Sequence, residues 1–169
     1  MCLDDAVSLD ENTLQSAFDR YVATIDGIAA SGDWSAYADL FTEDATYREH
    51  AFGDFSGREE IRRWIVRTMT SFPGSAMIGF PPAWHVLDPP TNRVICEVRN
   101  LMPDPGDGSV HEESNLTILT FDDDGGLIRQ EDVYNPQRFA DMTLRWCRVA
   151  DRHGRLSDEG RAVLTALGG

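Results

Sequence analysis

The chain has 169 residues, 41% of them hydrophobic and 26% charged, which is the composition of one globular domain rather than of a disordered or fibrous protein. Twenty-nine acidic residues stand against 15 basic ones, all arginine, for a net charge of -14. Such a chain repels nucleic-acid phosphates and anionic membranes, so neither is expected as a partner.

Ser8-Leu9-Asp10-Glu11 fits a capping box, and Leu14, Phe18, Tyr21, Val22, Ile25 and Ile28 follow at helical spacing. The pattern predicts a helix to about Ala30, stopped at Ser31-Gly32, and Asp33 can cap a short helix from Trp34 to Phe41. Ala45–Phe52 reads as a strand. Ser56-Gly57-Arg58-Glu59 opens a second helix carrying Ile61, Trp64, Ile65 and Met69 on one face, ended by Phe72-Pro73-Gly74. From there the period is two: Ala76–Phe80, Trp84–Leu87, Arg93–Met102, Val110–Phe121 and Leu127–Tyr134 read as strands separated by turns. Asn135-Pro136 starts a helix with Phe139, Met142, Trp146 and Val149 as its apolar stripe, and Ser157 caps a last one to Leu167.

This order predicts an α+β fold: a cone-shaped, curved antiparallel sheet covered by helices on its concave face, which leaves an interior. The expected organisation is a tail over 1–12, one domain over 13–150 and an extension with a short helix over 151–169. No apolar run approaches the ~20 residues of a membrane span, and Met1–Asp5 lacks the basic and apolar stretches of a secretory leader. Cys2, Cys96 and Cys147 are too scattered for a disulfide framework, and the four histidines show no metal-ligand spacing. The expectation is a cytoplasmic protein without metal or cofactor.

Glu43-Asp44-Ala45-Thr46-Tyr47-Arg48-Glu49-His50, followed by Ser56-Gly57-Arg58-Glu59-Glu60-Ile61, resembles the nuclear transport factor 2-like superfamily. That group includes ketosteroid isomerases, limonene epoxide hydrolases and SnoaL-like polyketide cyclases. The resemblance extends over about Leu14 to Trp146. It implies that Glu49 stands where the isomerases carry their proton-shuttling aspartate. Asp132 stands where the hydrolases and cyclases carry an aspartate on the strand before the last helix. It further implies a homodimer formed through the convex sheet, with Val94, Cys96 and Val98 as outer apolar residues. The chain also departs from both patterns. Glu97-Val98-Arg99 reverses the hydrolases' Arg-x-Asp, Glu49 replaces their asparagine, Thr117 replaces the isomerases' second acid, and Ile25 replaces their tyrosine.

From the residues themselves, Tyr47 and Glu49 share a strand face, and a carboxylate desolvated on the inner face of a small barrel becomes a usable base. Asp132 shares a face with Ile128, Gln130 and Tyr134. Glu97 and Arg99 share a face with Ile95 and Leu101, either paired inside or as an exposed ion pair. The candidate catalytic set is therefore Asp132, Glu49, Arg99, Glu97 and Tyr47. The candidate cavity wall is Phe18, Tyr21, Ile25, Trp64, Phe80, Asn115, Thr117 and Tyr134. The expected function is cofactor-independent acid/base chemistry on a small apolar steroid-, terpenoid- or polyketide-like molecule. The alternatives are a non-catalytic ligand-binding module and an accessory homodimeric module of the same fold.

Overall fold

Asp10 rather than Ser8 caps the first helix: its carboxylate accepts the Thr13 amide at 2.7 Å, and α1 runs Glu11–Ser31. An acid at this position also meets the positive end of the helix dipole. Gly32, at φ 75°, returns its amide to the Ile28 carbonyl and ends the helix. The structure, a computed structural model, describes residues 8–167. Most of the expected tail, with Cys2, lies outside the described residues.

A 3-10 segment, Trp34–Leu40, is capped by Asp33 and leads directly into β1, Phe41–Glu49, four residues earlier than the alternation at Ala45 suggests. A turn at Gly53, φ 113°, then opens a short strand that the sequence pattern does not reveal, β2, Gly53–Ser56. α2 spans Arg58–Met69 and is capped by the backbone of Gly57, while the Glu60 carboxylate reaches back to the Ser56 amide at 2.8 Å. The predicted strand at Ala76–Phe80 does not form. A 3-10 turn occupies Gly74–Ala76, and Gly79 makes a single bridge to Leu101. Pro73, Pro81 and Pro82 withhold the amides that a longer ladder there would need. β3 is Pro82–Asp88, β4 Arg93–Leu101, β5 Glu112–Phe121 and β6 Leu127–Val133. α3, Pro136–Arg152, begins at Asn135, whose side chain accepts the Gln137 amide at 3.0 Å, and α4 covers Asp158–Leu167.

The strands form one six-stranded, curved, unclosed sheet in the order β2-β1-β6-β5-β4-β3. All neighbours are antiparallel except β1 and β6, which run parallel. Register shifts beside Phe41, Pro82 and Phe121 bend the sheet, as bulges do. The expected α+β architecture is the one observed. One core, built on Leu14, Phe18, Tyr47, Ile61, Val94 and Leu119, joins α1 and α2 to the inner sheet face. A second, Met102, Met142, Trp146, Cys147, Ala150 and Leu156, holds α3 and α4 at the far end of β4, where the Trp146 indole donates to the Pro103 carbonyl at 2.7 Å. The space between the two cores is the cavity described next.

Among the described residues no helix is long and apolar enough to cross a membrane.

Candidate functional site

Four side chains stand at one level across the inner sheet face. Glu49 is the Cα partner of Asp132, Asp132 of Thr117, and Thr117 of Cys96. One level along lie Tyr47, Gln130, Leu119 and Val94. These rows put two carboxylates side by side on parallel strands, at the wall of a cavity of about 510 Å³. Its lining is mostly apolar: Ile25, Trp34, Trp64, Phe72, Met77, Phe80 and Phe139 enclose the polar group. A cavity of this size accommodates a drug-sized ligand.

Asp132 is held from three directions. Thr117 donates to Oδ1 at 2.6 Å, the Tyr47 hydroxyl donates to Oδ2, and the Gln130 amide nitrogen lies 3.4 and 3.3 Å from the two oxygens. Despite these donors, burial pushes the Asp132 carboxyl above its ordinary value, and the charge of Glu49 beside it pushes the same way. Desolvation outweighs hydrogen bonding here because the surrounding wall supplies little dielectric response. Asp132 keeps part of its surface exposed, and the cavity is the space onto which it opens.

Gln130 is 2% exposed and ties the site to the helices. Tyr37 donates to its Oε1 at 2.8 Å, with Tyr21 at 3.5 Å, which turns the amide nitrogen toward Tyr47 and Asp132. Burial raises the hydroxyls of Tyr21, Tyr37 and Tyr47 well above their ordinary range, with the Asp132 charge adding to it, so all three act as donors at neutral pH. Cys96, beneath Thr117, is pushed up to about 12 by burial and remains a thiol. Glu49 accepts the amides of Ala51 and Phe52 at 2.8 and 2.6 Å, and burial, with Glu49 nearby, raises the Tyr134 hydroxyl above its ordinary value.

The structure thus brings Tyr47, Glu49 and Asp132 together, with Tyr21, Ile25, Trp64, Phe80, Asn115, Thr117 and Tyr134 on the same cavity. It does not bring in Glu97 and Arg99. β4 has the opposite parity: Val94 and Cys96 are fully buried, Val98 and Asn100 line the cavity, and the charged pair faces outward. There Glu97 accepts the Trp84 indole N–H at 2.5 Å, and Arg99 pairs with Glu112 at 2.5 Å with 42% of its side chain exposed. The expected outer residues Val94, Cys96 and Val98 are correspondingly inner ones. Phe18 is core packed against His85, with ring centroids 4.5 Å apart, and does not reach the cavity. Ile128 is also outward, because the shift beside Phe121 breaks the alternation of β6 before Gln130. Sequence reasoning missed Gln130, Tyr37 and Asn100 as parts of the polar system. No spacing could have placed Asn100, because β4 carries apolar residues on both of its faces.

The reaction such a group supports is proton transfer by a carboxyl in an apolar space. No curated protein matches the sequence at a significant level. A solved structure, "Crystal Structure of Putative Isomerase from Bacillus subtilis", is similar, with a TM-score of 0.59 over 79% of this chain and 95% of that one, at 16% identity. That likeness is one of fold. Residues 6–127 match the SnoaL-like domain family, and the curved sheet with its helix-lined cavity agrees with the match: this chain belongs to the SnoaL-like domains of the nuclear transport factor 2-like superfamily.

Proposed function

We propose that this protein is a cofactor-independent enzyme that moves protons on a small, largely apolar molecule of steroid, terpenoid or polyketide type, as isomerase, epoxide hydrolase or cyclase. The observation that carries the reading is Asp132: a carboxyl raised by desolvation, fixed by Thr117, Tyr47 and Gln130, and facing an apolar cavity. A base of this kind takes a proton from carbon beside a carbonyl, or from water next to an epoxide, and returns it as a neutral acid. Glu49 sits beside it and keeps the proton affinity of Asp132 high. Tyr47 and Tyr134 hold their protons, and Tyr47 holds the Asp132 carboxyl in place.

The test is proton exchange in D2O, followed by NMR on a panel of cyclic ketones, with turnover of terpene epoxides in parallel. The wild type exchanges protons beside the carbonyl or opens the epoxide, and Asp132→Asn loses about 100-fold or more. Equal rates in the two proteins, or no turnover of any probe, would sink the catalytic reading. A second reading, a binding module, draws on the fact that Thr117, Tyr47 and Gln130 already supply donors to both Asp132 oxygens. It predicts tight binding of the same ketones without exchange.

The free form we propose is a homodimer in a reducing, cytoplasmic setting. The outer face of the sheet carries Val86, Ile95 and Ile118 in one row and Trp84, Leu116 and Val133 in the next, interrupted by Glu97. Trp84 and Val86 are 45% and 51% exposed, a patch that a second copy would cover. Cys96 and Cys147 are both free and buried.

A further inference from the structure

Asn100 lies on the cavity wall two strands away from Asp132, and its amide orientation is determined by the backbone. Its Nδ2 donates to the Glu113 carbonyl at 3.1 Å and to Asn115 Oδ1 at 2.8 Å, with the Val98 carbonyl at 3.4 Å. Carbonyl oxygens only accept, so the nitrogen must face them. Every later bond then has one direction. Asn115 Nδ2 donates to Thr117 Oγ1 at 2.8 Å, and Thr117 donates to Asp132 Oδ1 at 2.6 Å.

The consequence is at the other end of the chain of bonds. Among the described residues Asn100 Oδ1 accepts no hydrogen bond, although Asn100 is held by three polar neighbours, and it is not among the sealed, unpartnered atoms. Asn100 is half-buried and lines the cavity, so this oxygen is an open acceptor there. Flipping the amide to present a donor would set Oδ1 against the Glu113 and Val98 carbonyls and against Asn115 Oδ1, and would break the line to Asp132. The position can therefore read only a donor.

We infer that Asn100 is a specificity-determining residue, whose Oδ1 accepts a hydrogen bond from a hydroxyl on the otherwise apolar ligand of this cavity. The inference rests on the reading above that the cavity takes an apolar ligand. The ligand class is an alicyclic molecule that carries a hydroxyl at the Asn100 end of the cavity, in addition to the carbonyl or epoxide at Asp132, rather than one with a hydrocarbon or a ketone at that same position. A ketone oxygen at Asn100 would meet a like acceptor with no hydrogen between them, and the cost of an unmet polar group separates the two ligands.

The test uses menthol and menthone, an alcohol and a ketone on one skeleton, titrated calorimetrically into the full chain. The wild type binds menthol about tenfold more tightly than menthone, and Asn100→Leu binds both equally. In the wild type, menthol but not menthone shifts the side-chain amide NMR resonances of Asn100, a readout that does not depend on the variant folding. Equal or ketone-favoured binding by the wild type, or a preference kept in a folded Asn100→Leu, overturns the assignment while leaving the cavity reading intact. Failure of both ligands to bind removes the cavity reading, and this inference with it.

Discussion

Asp132 has one neighbour that stabilises its anion from each side and one that opposes it. Thr117 and Tyr47 donate to it, and Glu49 lies at the same level of the adjacent parallel strand. Because burial and Glu49 hold its carboxyl above the ordinary value, activity that uses Asp132 as base rises with pH through that elevated titration. Glu49→Gln removes the repelling charge, so the rise moves to lower pH; a pH profile of kcat/KM on the two proteins checks the direction. The same shift has a thermodynamic counterpart. In the window between the ordinary aspartate value and the raised one, the native state holds a proton that the unfolded chain has released. The Asp132 contribution to stability is therefore fully present below that window and declines as pH rises through it. Asp132→Asn flattens this decline in a series of thermal melts at increasing pH, and an unchanged slope would contradict it.

At the level of elements, local chemistry sets where the helices start, and through them the cavity. Asn135 and Pro136 begin α3, whose Phe139 forms part of the cavity wall. Asn135→Ala removes the acceptor for the Gln137 amide and costs about 1 kcal/mol, measurable by urea unfolding. Gly74, below α2, has a different constraint. A Cβ there would stand 2.5 Å from the Thr68 carbonyl oxygen and 3.1 Å from the Met69 Cα, both backbone atoms. Gly74→Ala forces this wall to move and destabilises by about 1–3 kcal/mol. A loss below a few tenths in chemical denaturation would show that the segment yields freely.

Over the whole molecule, the sheet has two apolar faces. The inner one is covered by α1 and α2 and bounds the cavity. The outer one exposes Trp84, Val86, Leu116 and Val133 in adjacent strands. A net charge of -14 keeps the copies soluble but opposes their pairing at long range, so the proposed dimer tightens with salt. Leu116→Arg places a charge in the middle of this patch and yields monomers by sedimentation velocity, where the wild type sediments as a dimer. A monomeric wild type at high salt would refute the pairing.

Residue pattern alone determined the helices, because 3.6-residue periodicity and caps such as Asn135 are local. It also put Tyr47 and Glu49 on one face of one strand, since residues on a strand face recur at every second position, whereas a place for Asp132 beside them was implied only by the resemblance to the superfamily. It could not decide the parity of β4. Ile95 and Leu101 make the Glu97 side look as apolar as the Val94 side, and both sides are apolar because both faces of the sheet are. Only strand pairing separates them: the alignment of Cys96 with Thr117, and of Thr117 with Asp132, turns Glu97 and Arg99 outward and brings Asn100 onto the cavity wall. The line from Asn100 to Asp132 joins residues of three strands, and no spacing along one chain encodes contacts that arise between strands.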